Sequence, residues 1–482
     1  FVSTEIAKAA DITFSGQIRS RMEISEHQGG TNAASGNGSV NSPSFNGNTD
    51  EFIFSSVRLA AKANINDTTS AFIQLQSIRN WGNESTAATG TFGEGAGSGN
   101  ASATVNNADA SVGIHQAYFT LKNFAAQGID MKLGRQEIKL DGWRLFGNTI
   151  WTAGMQTHDA VTFHHAHDNL HVTGGYIKAQ ENGREEDPDD ANDSEVYLLH
   201  ANIKGILGGQ FSAIYAFRDN GCGGVTAIGA GVGRTGCTNG NNNMHTIGGR
   251  QAGQLFGLNY RGELYYQFGR ADGVQNGNAG DPETDRSAYM FGVRVGKAFN
   301  NVKYKPSVTL WYDYLSGTSD EDQANNDWKS FDTLYDTGHK YYGLQDIFLG
   351  IGSGGVGGTR GLGLQDLAVK FKVSPMPGWT AKLDLHAFAT AEGICANSQT
   401  SNTTCKNQGP RTIIDDQAFQ KSWLGNEIDL TLVNKYNDNT KIMIGYSNFN
   451  MSSGLQRLKD NGGGVVGTKS ADWAYLQFDV QF

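Results

Sequence analysis

The feature that most constrains this chain is a two-residue rhythm that runs longer than an ordinary strand. From Ile12 to Ile24 one alternate set reads Ile12, Phe14, Gly16, Ile18, Ser20, Met22 and Ile24. The interleaved set reads Thr13, Ser15, Gln17, Arg19, Arg21 and Glu23. Successive strand side chains point to opposite faces, so one face is apolar and the other charged. An ordinary strand has about 5–6 residues, whereas crossing a bilayer at a tilt takes about 9–11. The rhythm returns down the chain. Leu367, Val369, Phe371 and Val373 alternate with Asp366, Lys370 and Lys372. Ala381, Leu383, Leu385 and Ala387 alternate with Lys382, Asp384 and His386, and Ile428, Leu430 and Leu432 alternate with Glu427, Asp429 and Thr431. About 18 such segments begin near residues 11, 51, 69, 112, 128, 159, 169, 194, 209, 246, 262, 287, 304, 363, 379, 426, 440 and 471.

These segments predict an all-β fold: one closed antiparallel transmembrane β-barrel spanning 1–482, with lipid outside and water inside. Closure follows because an open sheet edge in hydrocarbon would leave backbone groups without partners. Composition agrees. The 482 residues include 64 Gly and only 7 Pro, and 10% are aromatic. Mean hydropathy is −0.43, and no stretch approaches the roughly 20 apolar residues of a membrane helix. A barrel needs no such stretch, because only alternate residues of each strand meet lipid.

Connections come in two sizes. Asn64–Thr68 and Tyr436–Asn439 read as tight turns. Long polar segments fall at 27–50, 82–110, 179–193, 219–243, 271–286, 317–361, 393–423 and 452–469. Short turns on one rim and long loops on the other are the outer-membrane arrangement. Cys222 and Cys237 bracket one long loop segment, and Cys395 and Cys405 another. No C-x-x-C occurs, so two local disulfides in an oxidising compartment are expected. Each would close a loop of about 11–16 residues, worth roughly 3 kcal/mol in the chain-entropy model. The chain opens at Phe1 without Met or a basic-then-apolar leader, the look expected of a mature exported chain. Its last strand, Ala474, Leu476, Phe478, Val480 and Phe482, resembles the C-terminal recognition signal of bacterial outer-membrane proteins.

Three further stretches have a distinctive wording. The first is Gly134-Arg135-Gln136, then Asp141-Gly142-Trp143-Arg144-Leu145-Phe146-Gly147-Asn148 and Trp151. The second is Ser330-Phe331-Asp332-Thr333-Leu334-Tyr335, then Thr337-Gly338-His339-Lys340-Tyr341-Tyr342-Gly343 and Asp346. The third is Gly425-Asn426-Glu427-Ile428-Asp429-Leu430-Thr431-Leu432, then Ile444-Gly445-Tyr446-Ser447. Together they resemble the alginate-export family of outer-membrane porins, and the resemblance implies an 18-stranded monomeric barrel. It also implies passive passage of a solute, an acidic polysaccharide in the named member, through a loop-narrowed pore with basic walls.

Such a pore should turn basic side chains inward. The inward face supplies Arg19, Arg21, Arg58, Lys62, Lys122, Lys132, Arg294, Lys370, Lys372, Lys382 and Lys441, and the acids Glu23, Asp130, Glu263, Asp313, Asp366, Asp384, Glu427, Asp429 and Asp479. The signs nearly balance, so cross-strand pairing competes with solute steering as the role of each. Loop 317–361 carries Phe331, Asp332, Tyr335, His339, Lys340 and Tyr341, too many aromatics for a freely solvated segment. It is expected to fold into or over the pore and constrict it; the rival reading is a cap on the rim.

Other motifs carry less. Gly229, Gly231 and Gly233 lack the strand–helix setting of a phosphate loop. His164, His165, His167 and His171 cannot all converge, because adjacent strand residues face opposite sides. The expected partners are outer-membrane lipid, lipopolysaccharide and a small polar or anionic solute. No cofactor and no nucleic acid are implied. A structural barrel with a loop-closed lumen, or a barrel enzyme, are the alternatives to a channel. Bilayer conductance and hydrolytic assays separate the three.

Overall fold

The computed structural model describes residues 11–26, 49–81, 112–180, 194–220, 242–272, 283–319, 321–322, 325–349, 359, 361–393, 422–452, 454–455 and 470–482. Both cysteine pairs and the acidic residues 181–193 lie outside them. The strands are β1 (Asp11–Glu26), β2 (Thr49–Asn64), β3 (Thr69–Asn80), β4 (Gly113–Leu121), β5 (Ile129–Gln136), β6 (His158–His167), β7 (Leu170–Gln180), β8 (Ser194–Ile206), β9 (Gly209–Asn220), β10 (Asn242–Leu255), β11 (Leu258–Arg270), β12 (Asp285–Ala298) and β13 (Ser307–Leu315). They continue as β14 (Asp327–Trp328), β15 (Leu364–Val373), β16 (Trp379–Ala389), β17 (Trp423–Lys435), β18 (Thr440–Met451) and β19 (Ser470–Gln481). β14 is a two-residue bridge laid parallel on β12. The other eighteen form one antiparallel ring in which β13 pairs with β15 and β1 closes on β19.

Local chemistry sets the register. Two-residue turns at Leu207–Gly208 and Phe256–Gly257 hold positive φ at both positions (45° and 69°, 52° and 73°). That is the type I′ pattern, whose twist matches the flanking strands. At the Asn64–Thr69 turn the Asn66 side chain accepts from the Thr68 and Thr69 amides. At the seam, Gly16 and Phe482 exchange both backbone hydrogen bonds, at 2.7 and 3.0 Å. The Phe482 ring lies over Gly16, where a Cβ would clash at 2.4 Å.

Alternation decides which face meets lipid. Leu264, Leu310, Leu199 and Ile73 point outward and are more than half exposed. Arg58, Gln76, Thr246 and Asp313 point inward and are buried. The outward-apolar, inward-polar pattern holds fully only near the tight-turn rim. Towards the long-loop rim many inward positions are apolar, among them Ile177, Val196, Ile214, Met290, Leu315, Leu364, Phe388 and Phe449. The physical reason is that this half of the lumen is filled. Leu145, Phe146, Phe331, Tyr341, Tyr342, Ile347 and Phe348 pack against that wall and with it make the largest apolar cluster among the described residues. The protein's core therefore sits inside the barrel, where apolar burial fixes the inserted segments.

Candidate functional site

Two connections build the filling. Residues 137–157, between β5 and β6, run beside residues 329–349, between β14 and β15. The Gly147 amide bonds Tyr335 O, the Tyr335 amide bonds Leu145 O, and the Thr337 amide bonds Trp143 O, at 2.8–3.0 Å. Phe146 and Tyr335 form a parallel bridge. Together the segments make one plug whose contacts reach inward residues around the ring.

The plug is fastened to the wall in four places. Against β1 and β2, the Arg19 guanidinium donates to the Ile150 and Thr152 carbonyls, Arg21 to Trp151 O at 2.8 Å, and Arg58 to Ala153 O at 2.9 Å. All three arginines are at most 5% exposed. Glu23 pairs with Arg21 at 2.6 Å and accepts from the Trp473 indole. The Trp151 ring lies between the Arg21 guanidinium, 3.7 Å away, and the His339 ring, stacked at 4.1 Å.

Against β11 and β13, Arg144 is the fastening. Its guanidinium is fully buried and donates to Glu263, Asp313 and the Tyr342 hydroxyl at 3.3, 2.5 and 2.8 Å. It also lies over the Tyr341 ring at 3.7 Å. Arg250 and Arg261 approach Glu263, and Arg294 approaches Asp313 while covering the Trp311 ring. These strong charge-assisted contacts leave a surplus of cations around two acids. Against β9, Asp332 pairs with Arg218 at 2.7 Å. Burial raises the Asp332 carboxyl, but Arg218 and Arg286 outweigh it and hold the group below its usual range. Against β17, Glu427 accepts the Leu344 and Gln345 amides at 2.7 and 2.9 Å. This works because Gly343 adopts φ +84° and lets the backbone close over the carboxylate.

Beyond the Phe348–Phe388 contact, towards the tight turn between β15 and β16, the plug stands clear of the wall. A cavity of about 260 Å³ separates the plug from β15 and β16. Trp143, Ile150, Trp151, His339, Lys340 and Leu344 line it on the plug; Lys370, Lys382, Asp384 and His386 line it on the wall. The wall charges form a ladder fixed by register. His386 pairs with Asp366 at 2.8 Å, and Lys370 with Asp384 at 2.8 Å. Then Lys372 stands directly opposite Lys382. No described carboxylate pairs with either of these two, and like charges directly opposed are unfavourable unless solvated. On the plug, burial and the nearby Arg261 and Arg250 bring the Lys340 ammonium down to about 8. Trp143 holds φ +68°, a conformation that bulky residues adopt only when their surroundings impose it.

The remaining site expectations divide by position. Lys62 is exposed near the tight-turn rim, and Lys132 lies 3.8 Å over the Tyr118 ring. Phe331 and Tyr341 are wholly buried in the plug, and His339 pairs with Asp346 at 2.9 Å. Arg144, Arg250 and Arg261 were missed by the sequence reading. Arg144 sits in the Asp141-Gly142-Trp143-Arg144 stretch, which had marked a family without marking an inserted loop. Arg250 and Arg261 lie on strands whose weak alternation hid their face. Of the histidines, His164 and His171 face inward with stacked rings while His165 and His167 face outward. Both ring nitrogens of His164 have threonine partners. Among the described residues, no three His, Cys, Asp or Glu converge as a metal set.

Comparison with known proteins adds a family and a fold. The alginate-export family model matches residues 39–461. No curated protein matches the chain. Among solved structures, OccK3 (OpdO) of Pseudomonas aeruginosa is similar at TM-score 0.54 and 9% identity, covering 98% of this chain and 96% of that one. OccAB1 of Acinetobacter baumannii is similar at 0.53 and 12%, covering 99% of each. OccD3 (OpdP) of Pseudomonas aeruginosa gives 0.51 and 11%, covering 99% and 93%. At such identities the likeness shows the barrel. With a family model spanning most of its length and an eighteen-stranded closed ring around a plug, the chain belongs to the alginate-export family and is an integral outer-membrane porin for solute diffusion.

Proposed function

We propose that the solute is anionic and passes between the plug and the β15–β16 wall, steered by Lys340, Lys370, Lys372 and Lys382. One observation carries the reading: arginines fasten the plug, and the cavity beside it opens on the part of the β15–β16 wall that carries Lys370 and Lys382, where Lys382 faces Lys372 and neither has an acid partner among the described residues. Cations lining a constriction lower the barrier for anions. The Trp143 and Trp151 indoles beside them offer flat apolar surface to a sugar ring, which favours an acidic oligo- or polysaccharide, in keeping with the family. The chain conducts rather than catalyses in this reading. Loop 317–361 acts as the constriction, with residues 137–157 as its second half.

Reversal potentials in planar bilayers under a salt gradient test it. The wild-type channel should prefer chloride to potassium, and Lys370→Ala/Lys382→Ala should lose most of that preference at unchanged fold. A cation-preferring wild type would overturn the assignment. Charged oligoalginate should block current where a neutral glucan of equal size does not. We also read the protein as a monomer with disulfides joining Cys222 to Cys237 and Cys395 to Cys405. Alkylation of unreduced protein should then label none of the four cysteines, and native mass measurement should give one chain.

A further inference from the structure

We propose that Glu427, Asp429 and Ser447 form a buried site for a hard divalent cation, calcium rather than magnesium, which locks the plug to the wall. Glu427 and Asp429 are neighbours on the inward face of β17, 0% and 2% exposed. Their carboxyls lie close enough to interact directly. Two acids in such a place require compensation, because a buried charge without a partner is strongly unfavourable.

The described residues supply little of it. Glu427 Oε1 takes the Leu344 and Gln345 amides, but with both carboxyls ionised Glu427 Oε2 and both Asp429 oxygens are inaccessible and have no hydrogen-bond donor among the described residues. The nearest cationic candidate, His386 Nε2, stops 3.9 Å from Asp429. That nitrogen lies 3.1 Å from Lys370 Nζ, and the other ring nitrogen is held by Asp366. Ser447 is the independent pointer. It stands directly opposite Asp429 across the β17–β18 pair. It is 0% exposed, and its hydroxyl also has no partner. Directly paired residues bring their Cβ atoms within about 4.5–5.5 Å. The hydroxyl is therefore presented to the same small volume as the acids.

Three carboxylate oxygens and one hydroxyl are the ligand chemistry of calcium or magnesium, and the one nearby nitrogen, His386 Nε2, is turned to Lys370. Two negative charges match a divalent ion. Calcium tolerates irregular shells of 6–8 oxygens at about 2.3–2.6 Å, whereas magnesium dehydrates reluctantly and demands a near-ideal octahedron. A wall site shaped by strand register suits the former. Glu427 would then act twice, binding the ion with Oε2 and the plug backbone with Oε1. Loss of the ion would loosen residues 343–345.

The test uses the full chain refolded into detergent without lipopolysaccharide, so that no lipid phosphate contributes binding. Equilibrium dialysis against calcium alone should give one more bound ion per barrel for wild type than for Asp429→Asn. Ser447→Ala should bind that ion about tenfold more weakly while migrating as a folded barrel on unheated gels. Chelator should raise open-channel noise in wild type and leave Asp429→Asn unchanged. Equal calcium binding by wild type and both variants would overturn the proposal. So would an infrared band of a buried protonated carboxyl, insensitive to calcium and lost in Asp429→Asn, since a proton shared by the two acids would then be the compensation. These outcomes are separable from the solute reading, because the ion is read by calcium binding and the solute by ion selectivity.

Discussion

The β1–β2 side of the lumen and the β15–β16 side present similar residues and different electrostatics. Both turn basic side chains inward. On the first, Arg19, Arg21 and Arg58 are buried and donate to carbonyls of residues 150–153. On the second, Lys370 has one acid partner, and Lys372 and Lys382 face each other with none among the described residues. The side chains differ as the roles require. Arginine's planar fork holds several oxygens at once, whereas lysine is a flexible, well-hydrated point charge. A cation that grips the backbone is architecture, and a cation left in water is available to a passing anion.

The contrast can be broken from the plug outward. The largest effect is expected from Arg144→Ala, which strips Glu263 and Asp313 of their shared buried partner. Breaking such a pair costs about 3–5 kcal/mol, so the plug should detach and single-channel conductance rise severalfold. Unchanged conductance would mean that the plug is held by apolar packing alone. Next come Arg19→Ala and Arg58→Ala, each removing buried charge-assisted bonds worth roughly 1.5–3 kcal/mol. Current noise should increase while the reversal potential stays put. The mirror-image outcome is expected for Lys372→Ala/Lys382→Ala: steady current, reduced anion preference, and a stability change within about 0.5 kcal/mol. If the arginine variants shifted selectivity and the lysine variants did not, the two sides would have to exchange roles. The smallest effect is set by pH. Lys340 is charged below about 8 and neutral above it, so anion preference should fall modestly as pH rises through that value. Lys340→Arg should abolish the trend, because arginine stays protonated.

The barrel was legible because its signal is repeated. Each strand's alternation is weak, but the starts expected near 11, 69, 194, 209, 379 and 440 coincide with observed strands. The chemistry of period two survives any change in loop. The interior was only half legible. Side-chain parity gives the direction in which Arg19 points and says nothing about what stands there. Residues 137–157 carry Asp141, Trp143, Arg144 and Trp151 in no regular period, so their insertion could not be read without the partner loop. The apolar inward positions, such as Leu364 and Phe388, look like ordinary strand residues until Phe348 is seen against them. Loop 317–361 was picked out for its aromatic content, and its residues 331–348 are where that content meets the wall.

The seam between β1 and β19 has a consequence for how the molecule comes into being. Gln17 donates to Asp479 across 462 positions of sequence, so no fragment made early can complete the ring. Until the final hairpin arrives, two bare edges are open to any passing strand. Contacts so distant along the chain make for slow folding. The rate of becoming native should therefore depend on how well those edges are guarded in transit, more than on any wall contact formed along the way.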